Sequence, residues 1–347
     1  KRALPEPVFE KTGSYEYVAP RNDKERALVN IWEQVLKADT VGIYDNFFEL
    51  GGDSILSIQI ISRAKRSGIH ITAKQIFDYQ TIAELSEVAR ELQDVVLAEQ
   101  GLLTGEILLT PIQAWFFEEQ LSDRHHFNQS LILQLDRRLE VEKLKACLEA
   151  IVCQHDMLRT QFKLNSGRWV QHYIDPEQIS DLIEESFEVI NLSGLPENLR
   201  SEQIEHLCDQ AQATLNLESG PLIRFVYFDL GDHAQARLAL IIHHLVVDVF
   251  SWRILLEDLQ TAVGLALRGA KIDLGAKTTS FKQWSESLHQ YARSDELSGD
   301  YAYWSALQQD QSGALPVDRT GINNVESVKS VERTLPVSVT ERLLKKA

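Results

Sequence analysis

Basic residues are in short supply: 35 lysines and arginines face 51 aspartates and glutamates, a formal charge of −16 over 347 residues. That deficit argues against sequence-independent nucleic-acid binding, which needs a cationic surface, and weakens attraction to anionic membranes. Cysteine is scarce as well. Cys147, Cys153 and Cys208 are widely spaced and form no metal-ligand pattern. An odd count without a disulfide framework fits a reducing cytoplasm and reads as small buried apolar side chains. No run approaches the ~20 apolar residues of a membrane span, and no charged-then-apolar leader opens the chain. Zinc-ligand spacing, a phosphate-binding Gly-rich loop and a dinucleotide fingerprint are all missing, as are internal repeats and low-complexity tracts. The expected setting is cytoplasmic, with neither nucleic acid nor membrane as a partner.

What is present is an ordinary globular composition, 44% apolar and 25% charged, in a chain long enough for two or three units. Residues 1–17 are polar and broken by Pro5, Pro7 and Gly13, and read as a linker. A helix is expected from Asp23 to about Lys37, where Leu28, Ile31, Trp32, Val35 and Leu36 make one apolar stripe. Phe47, Phe48 and Leu50 then read as core plugs. A second helix starts at Ser54 with Ile55, Ile58, Ile61 and Ala64 inward, a short turn lies near Ala73–Phe77, and a last helix runs from Thr81 with Ile82, Leu85, Ala89 and Leu92 buried. Short helices of this kind pack as a small bundle.

Residues 93–104 form a second linker, after which the pattern changes. Strand-like runs at Ser130–Leu135, Arg168–Ile174, Leu222–Asp229 and Ala236–Leu245 alternate with helical ones at Val141–Gln154, Glu197–Leu215, Val249–Ala266 and Asp300–Leu307. The alternation predicts an α/β domain. Trp169, Trp252, Trp284 and Trp304 are assigned to its core.

Two stretches carry chemistry. Gly51-Gly52-Asp53-Ser54 delivers a serine onto the first turn of a helix. This is either a loop ending in an N-cap or a presented hydroxyl beside unpaired backbone N–H groups that favour a phosphate. His243-His244-Leu245-Val246-Val247-Asp248 sits where a strand gives way to a helix. Its imidazoles are either core residues or a neutral-pH acid/base, and Asp248 is either its partner or a helix cap.

The first stretch, with Tyr17-Val18-Ala19-Pro20-Arg21-Asn22, Ile31-Trp32-Glu33-Gln34-Val35-Leu36, Asn46-Phe47-Phe48-Glu49-Leu50 and Phe77-Asp78-Tyr79-Gln80-Thr81-Ile82, resembles the peptidyl carrier domains of nonribosomal peptide synthetases. The resemblance covers residues 18–92. It implies a covalent 4′-phosphopantetheine on Ser54, attached by a phosphopantetheinyl transferase, with Gly51, Gly52 and Asp53 as the carrier loop. Lys1-Arg2-Ala3-Leu4-Pro5-Glu6-Pro7 resembles the exit from an adenylation domain, which would lie upstream, with a condensation domain downstream.

The second stretch resembles the His-His-x-x-x-Asp-Gly motif of condensation and epimerization domains. Pro111-Ile112-Gln113-Ala114-Trp115-Phe116 and His125-His126-Phe127-Asn128-Gln129-Ser130 are similar to segments of the epimerization kind. His155-Asp156-Met157-Leu158-Arg159-Thr160-Gln161-Phe162 resembles a segment of both. The resemblance implies a small all-α four-helix carrier bundle followed by an α/β lobe like chloramphenicol acetyltransferase over residues 105–347. It implies that an aminoacyl or peptidyl thioester is inverted at its α-carbon. His244 would be the acid/base, His243 structural, and Asp248 ion-paired with Arg159 beneath the motif, with His125 and His126 as scaffold. Val249 replaces the motif glycine, and a β-branched residue resists φ > 0 and adds bulk there. The family's opposing glutamate belongs to a second lobe, and no residue in 105–347 takes its role. A condensation domain forming amide bonds, and an inert carrier and docking fragment, are the competing readings.

Overall fold

The structure is a computed structural model and describes residues 17–91, 98–119, 121–231, 234–308, 321 and 327–346. The expected linker 1–17, apart from Tyr17, and the buried position of Leu92 therefore lie outside the described residues. Two compact units divide the chain, one reaching Gln290 and the other running from Tyr291 to Ala347.

The first unit begins with four helices: α1 (Asp23–Leu36), α2 (Ser54–Arg66), α3 (Ala73–Asp78) and α4 (Ile82–Val88). Asn22, Asp53, Thr72 and Thr81 cap them by accepting first-turn backbone N–H bonds, so each helix starts where a short polar side chain supplies the missing acceptor. Leu28, Ile31, Trp32 and Val35 of α1 pack on Phe47, Ile60, Ile76, Ile82 and Leu85 in one core. Two differences from the sequence reading appear here. The expected turn near Ala73–Phe77 is a full helix, and α4 stops at Val88. Ala89 turns extended so that β2 (Arg90–Glu91) can pair antiparallel with β1 (Ile69–His70).

Beyond the bundle come β3 (Glu106–Ile107), α5 (Pro111–Glu118), β4 (Asn128–Gln134), α6 (Val141–Gln154), β5 (Thr160–Asn165) and β6 (Arg168–Tyr173). These are followed by α7 (Ile179–Ser186), β7 (Phe187–Asn191), α8 (Glu197–Gln212), β8 (Ile223–Asp229), β9 (Arg237–His243), α9 (Val249–Leu267) and α10 (Phe281–Tyr291). A four-stranded sheet has the order β4-β9-β8-β7, with β7 and β8 parallel and the other pairs antiparallel. A smaller sheet runs β3-β6-β5.

The large sheet is covered on both faces, which explains the unbroken apolar reading of β9. Leu238, Leu240 and Ile242 point to the same core as Leu148 of α6 and Leu255 of α9. Ala239 and Ile241 point the other way, to Ile204 and Cys208 of α8. This alternation is the period-two geometry of a strand. Cys147 is buried among the first set, and burial pushes its thiol up to about 11, consistent with an inert packing role. Trp252 is buried and Trp169 stacks on Phe117. Trp284 of α10 is 53% exposed, so its assignment to the core is corrected.

The second unit carries α11 (Leu297–Gln308) and α12 (Val337–Lys346). Trp304, also expected in a core, is exposed together with Tyr301 and Tyr303. Tyr301 and Trp304 share one face of α11 at i, i+3 and Tyr303 lies off it, and all three are exposed.

Candidate functional site

Ser54 is the first residue of α2 and is exposed. The loop before it is shaped by glycine: Gly51 has φ +91°, a conformation an L side chain resists. Gly52 closes on Phe47, donating its N–H to the Phe47 carbonyl at 2.9 Å. Asp53 then caps α2. Its Oδ1 accepts from Ile55 N–H at 2.8 Å and Leu56 N–H at 2.7 Å. This corrects one expectation, because those amides are already satisfied by Asp53 and do not stand unpaired for a phosphate. An exposed serine at a helix start, preceded by a tight glycine turn, still fits covalent attachment of a phosphopantetheine arm. Ser62, about 12 Å along α2 from Ser54, and Lys65 border a cavity of about 1030 Å³ in the α/β part of this unit. Arg63 of α2 meets Glu257 of α9 at 3.3 Å across the same junction.

His243 and His244 share that neighbourhood but differ in burial and in access to the cavity. His243 ends β9 and is fully buried. Its Nε2 donates to the Arg124 carbonyl at 2.9 Å and its Nδ1 accepts from Leu245 N–H at 3.1 Å. Burial pushes the ring down to about 4, leaving it neutral with no free nitrogen. His244, one residue past the strand, is exposed and lines the cavity. Its Nδ1 lies 2.9 Å from the Val247 carbonyl, its Nε2 lies 3.1 Å from Gln129 Nε2, and its ring stacks on Phe127 at 5.3 Å and 13°. The pairing of Asn128 with His243 across β4 and β9 is what brings Phe127 and Gln129 to it.

Asp248 and Arg159 are not brought together. Asp248 caps α9, accepting from Ser251 N–H at 2.7 Å and from the Ser251 hydroxyl at 2.6 Å. Arg159 is fully buried, ion-paired with Asp156, and donates to the Ile174 carbonyl at 3.0 Å. Lys277 adds a second cation to Asp156 at 3.0 Å. Asp156 and Arg159 end one turn of 3₁₀ helix, so the nearer carboxylate takes the guanidinium and the expected Asp248–Arg159 pair is corrected. Val249 is the first residue of α9, has no positive φ, and is 62% exposed. It causes neither the strain nor the crowding expected from losing glycine. His125 accepts from Leu217 N–H at 3.0 Å, and His126 is exposed.

Several residues at the cavity were given no role by the sequence, although His155 lies in the His155–Phe162 segment. His155 Nε2 lies 2.9 Å from Asp258 Oδ2, and both line the cavity with His244. Gln129 and Phe127 lie within the His125–Ser130 segment, and only strand register connects that segment to His244. Among the described residues no cluster of His, Cys, Asp and Glu is arranged to hold a metal. No helix among them is long and apolar enough to cross a membrane.

With this geometry in view, comparisons with known proteins are specific. Residues 26–89 match the phosphopantetheine attachment site family and residues 103–347 match the condensation domain family. The chain is 46% identical over its whole length to part of a linear gramicidin synthase from Brevibacillus parabrevis, while spanning only 7% of that polypeptide. The epimerization domain from the third module of tyrocidine synthetase B aligns with a TM-score of 0.63 at 36% identity, over 72% of this chain and 55% of that one. A starter condensation domain of rhizomide synthetase shares the fold at 20% identity and a TM-score of 0.51, over 61% of this chain and 49% of that one. The chain belongs to the condensation-domain family of nonribosomal peptide synthetases, with a phosphopantetheine carrier domain ahead of its condensation-type domain.

Proposed function

We propose that this chain holds an aminoacyl or peptidyl thioester at Ser54 and inverts its α-carbon, with His244 moving the proton. The observation that carries the reading is the contrast between the two histidines: His243 has both nitrogens bound to backbone, whereas His244 borders a cavity of about 1030 Å³. The 36% identity to an epimerization domain supports inversion over amide formation. A phosphopantetheine arm, when bound, supplies a thioester that acidifies the neighbouring C–H. The protein's own part is to orient His244, whose Nδ1 is anchored on the Val247 carbonyl, so that Nε2 exchanges the proton on one face of the α-carbon; inversion needs the return to come on the opposite face, from a second donor or after the substrate turns. Tethering at Ser54, with Ser62 and Lys65 bordering the cavity, replaces diffusion by a high local concentration. A phosphopantetheinyl transferase, an adenylation domain upstream and a condensation domain downstream are the partners this reading requires.

The test is to load the chain from an L-aminoacyl coenzyme A with a phosphopantetheinyl transferase in deuterium oxide. The acyl group is then released and measured for α-deuterium and configuration. His244-dependent deuterium incorporation with D product supports the reading. Ser54 loading without any His244-dependent exchange overturns it, and amide product with a second loaded carrier assigns condensation instead.

A further inference from the structure

The hydrogen bonds around His244 determine where its proton sits. An indole N–H only donates, and Trp252 Nε1 lies 2.8 Å from Gln129 Oε1. That bond fixes the orientation of the Gln129 amide, because a flipped amide would set two donors against each other. The Gln129 NH2 group is then the atom 3.1 Å from His244 Nε2. Since it too only donates, Nε2 must accept. On the other side of the ring, the Val247 carbonyl only accepts, so the Nδ1 at 2.9 Å from it must carry the hydrogen. Two independent contacts thus demand one tautomer, and it is the one that free histidine in water disfavours.

We propose that Gln129 and Trp252 are positioning residues for His244, holding its resting imidazole as the Nδ1–H tautomer, with the Nε2 lone pair accepting from Gln129 until the substrate C–H takes that place. The inference rests on the reading of His244 as the proton-transfer group. Its parts come from three elements: Gln129 from β4, Trp252 from the first turn of α9, and His244 from the end of β9. Trp252 is buried, so the far end of the relay is fixed by packing. Phe127 stacks on the imidazole and restricts its rotation. A ring constrained at both nitrogens and one face is pre-organised, and the entropy of orienting it is spent on folding.

Long-range 15N–1H NMR on the full chain reads the tautomer without requiring turnover, with His244 assigned by comparison with a His244→Gln sample. The neutral ring should show a protonated Nδ1 and a pyridine-type Nε2. Gln129→Leu and Trp252→Phe should each move the population towards Nε2–H. Both should also lower kcat for His244-dependent α-proton exchange about 10- to 100-fold with little change in KM. Trp252→Phe keeps an aromatic ring in the core while deleting the N–H, so it probes the relay where Gln129→Leu disturbs the strand. A wild-type ring with its proton on Nε2 overturns the proposal, as does a tautomer unchanged in both variants. The expected tautomer pattern combined with absent turnover would instead remove the epimerization reading and leave the relay standing.

Discussion

Gly52 lies directly against Phe47: a Cβ on Gly52 would fall 2.5 Å from the Phe47 carbonyl oxygen and 2.6 Å from its ring. Phe47 is fully buried in the bundle core, so neither partner can retreat. The presentation of Ser54 therefore depends on a hydrogen atom in place of a side chain two residues earlier. Gly52→Ala should destabilise the bundle by about 1–3 kcal/mol, the usual cost of overpacking. Phosphopantetheine transfer to Ser54, followed by intact mass, should slow with it. Normal loading at unchanged stability would show that the loop relaxes freely.

Asp53 is expected to act through α2 rather than through its charge alone. Asp53→Ala removes the acceptor for Ile55 and Leu56 N–H and should cost about 1 kcal/mol, whereas Asp53→Asn should cost much less. Thermal melts of the three proteins provide the comparison.

The pH dependence of stability should carry the signature of His243. Burial lowers its pKa from the ordinary 6.5 to about 4, so on acidification the unfolded chain takes up this proton first. The stabilisation is complete above about 6.5 and is lost as pH falls through about 4, about 3 kcal/mol in all. Urea unfolding at pH 7 and pH 4.5 measures it. His243→Gln should flatten this part of the profile, and an unchanged slope would assign the acid sensitivity elsewhere.

Asp156 and Asp248 should separate clearly. Asp156→Asn leaves the fully buried Arg159 without its counter-ion, a loss of about 3–5 kcal/mol. Asp248→Ala removes a helix cap worth about 1 kcal/mol. Because the two acids serve different partners, Asp248→Ala and Arg159→Met should be additive in denaturant unfolding. A coupling well above 0.5 kcal/mol would restore an Asp248–Arg159 link.

The partly exposed Arg63–Glu257 contact tests the junction between the two domains. Arg63→Glu should lower α-proton exchange on the chain's own carrier, and the double swap Arg63→Glu with Glu257→Arg should recover part of it. The pair is worth about 1 kcal/mol or less, and the effect should fade at high salt.

The sequence is most legible where a pattern is long. Val141–Gln154 is delimited to the residue because its inward positions repeat over several turns. β5 and β7 escape, because their five or six residues mix charges with apolar groups and show no decisive period. The position of the histidine motif at a strand end is legible locally. The partner of Arg159 is not, since a resemblance transmits a pairing only if no nearer carboxylate competes, and Asp156 is three residues away. Gln129 escapes for a different reason. Its segment, His125–Ser130, is marked by resemblance, but nothing there ties Gln129 to His244, and the distance between them in sequence is closed only by strand pairing.

That pairing has a kinetic corollary. β4 and β9 meet as Asn128 opposite His243, with more than a hundred residues of intervening chain. Loop closure on that scale is slow, and a slip by one position would turn Gln129 to the reverse side of the sheet. During folding, the orientation of His244 should thus be acquired late, when these two strands zip together, and a nascent or partly denatured lobe would hold all of its reactive side chains without their alignment.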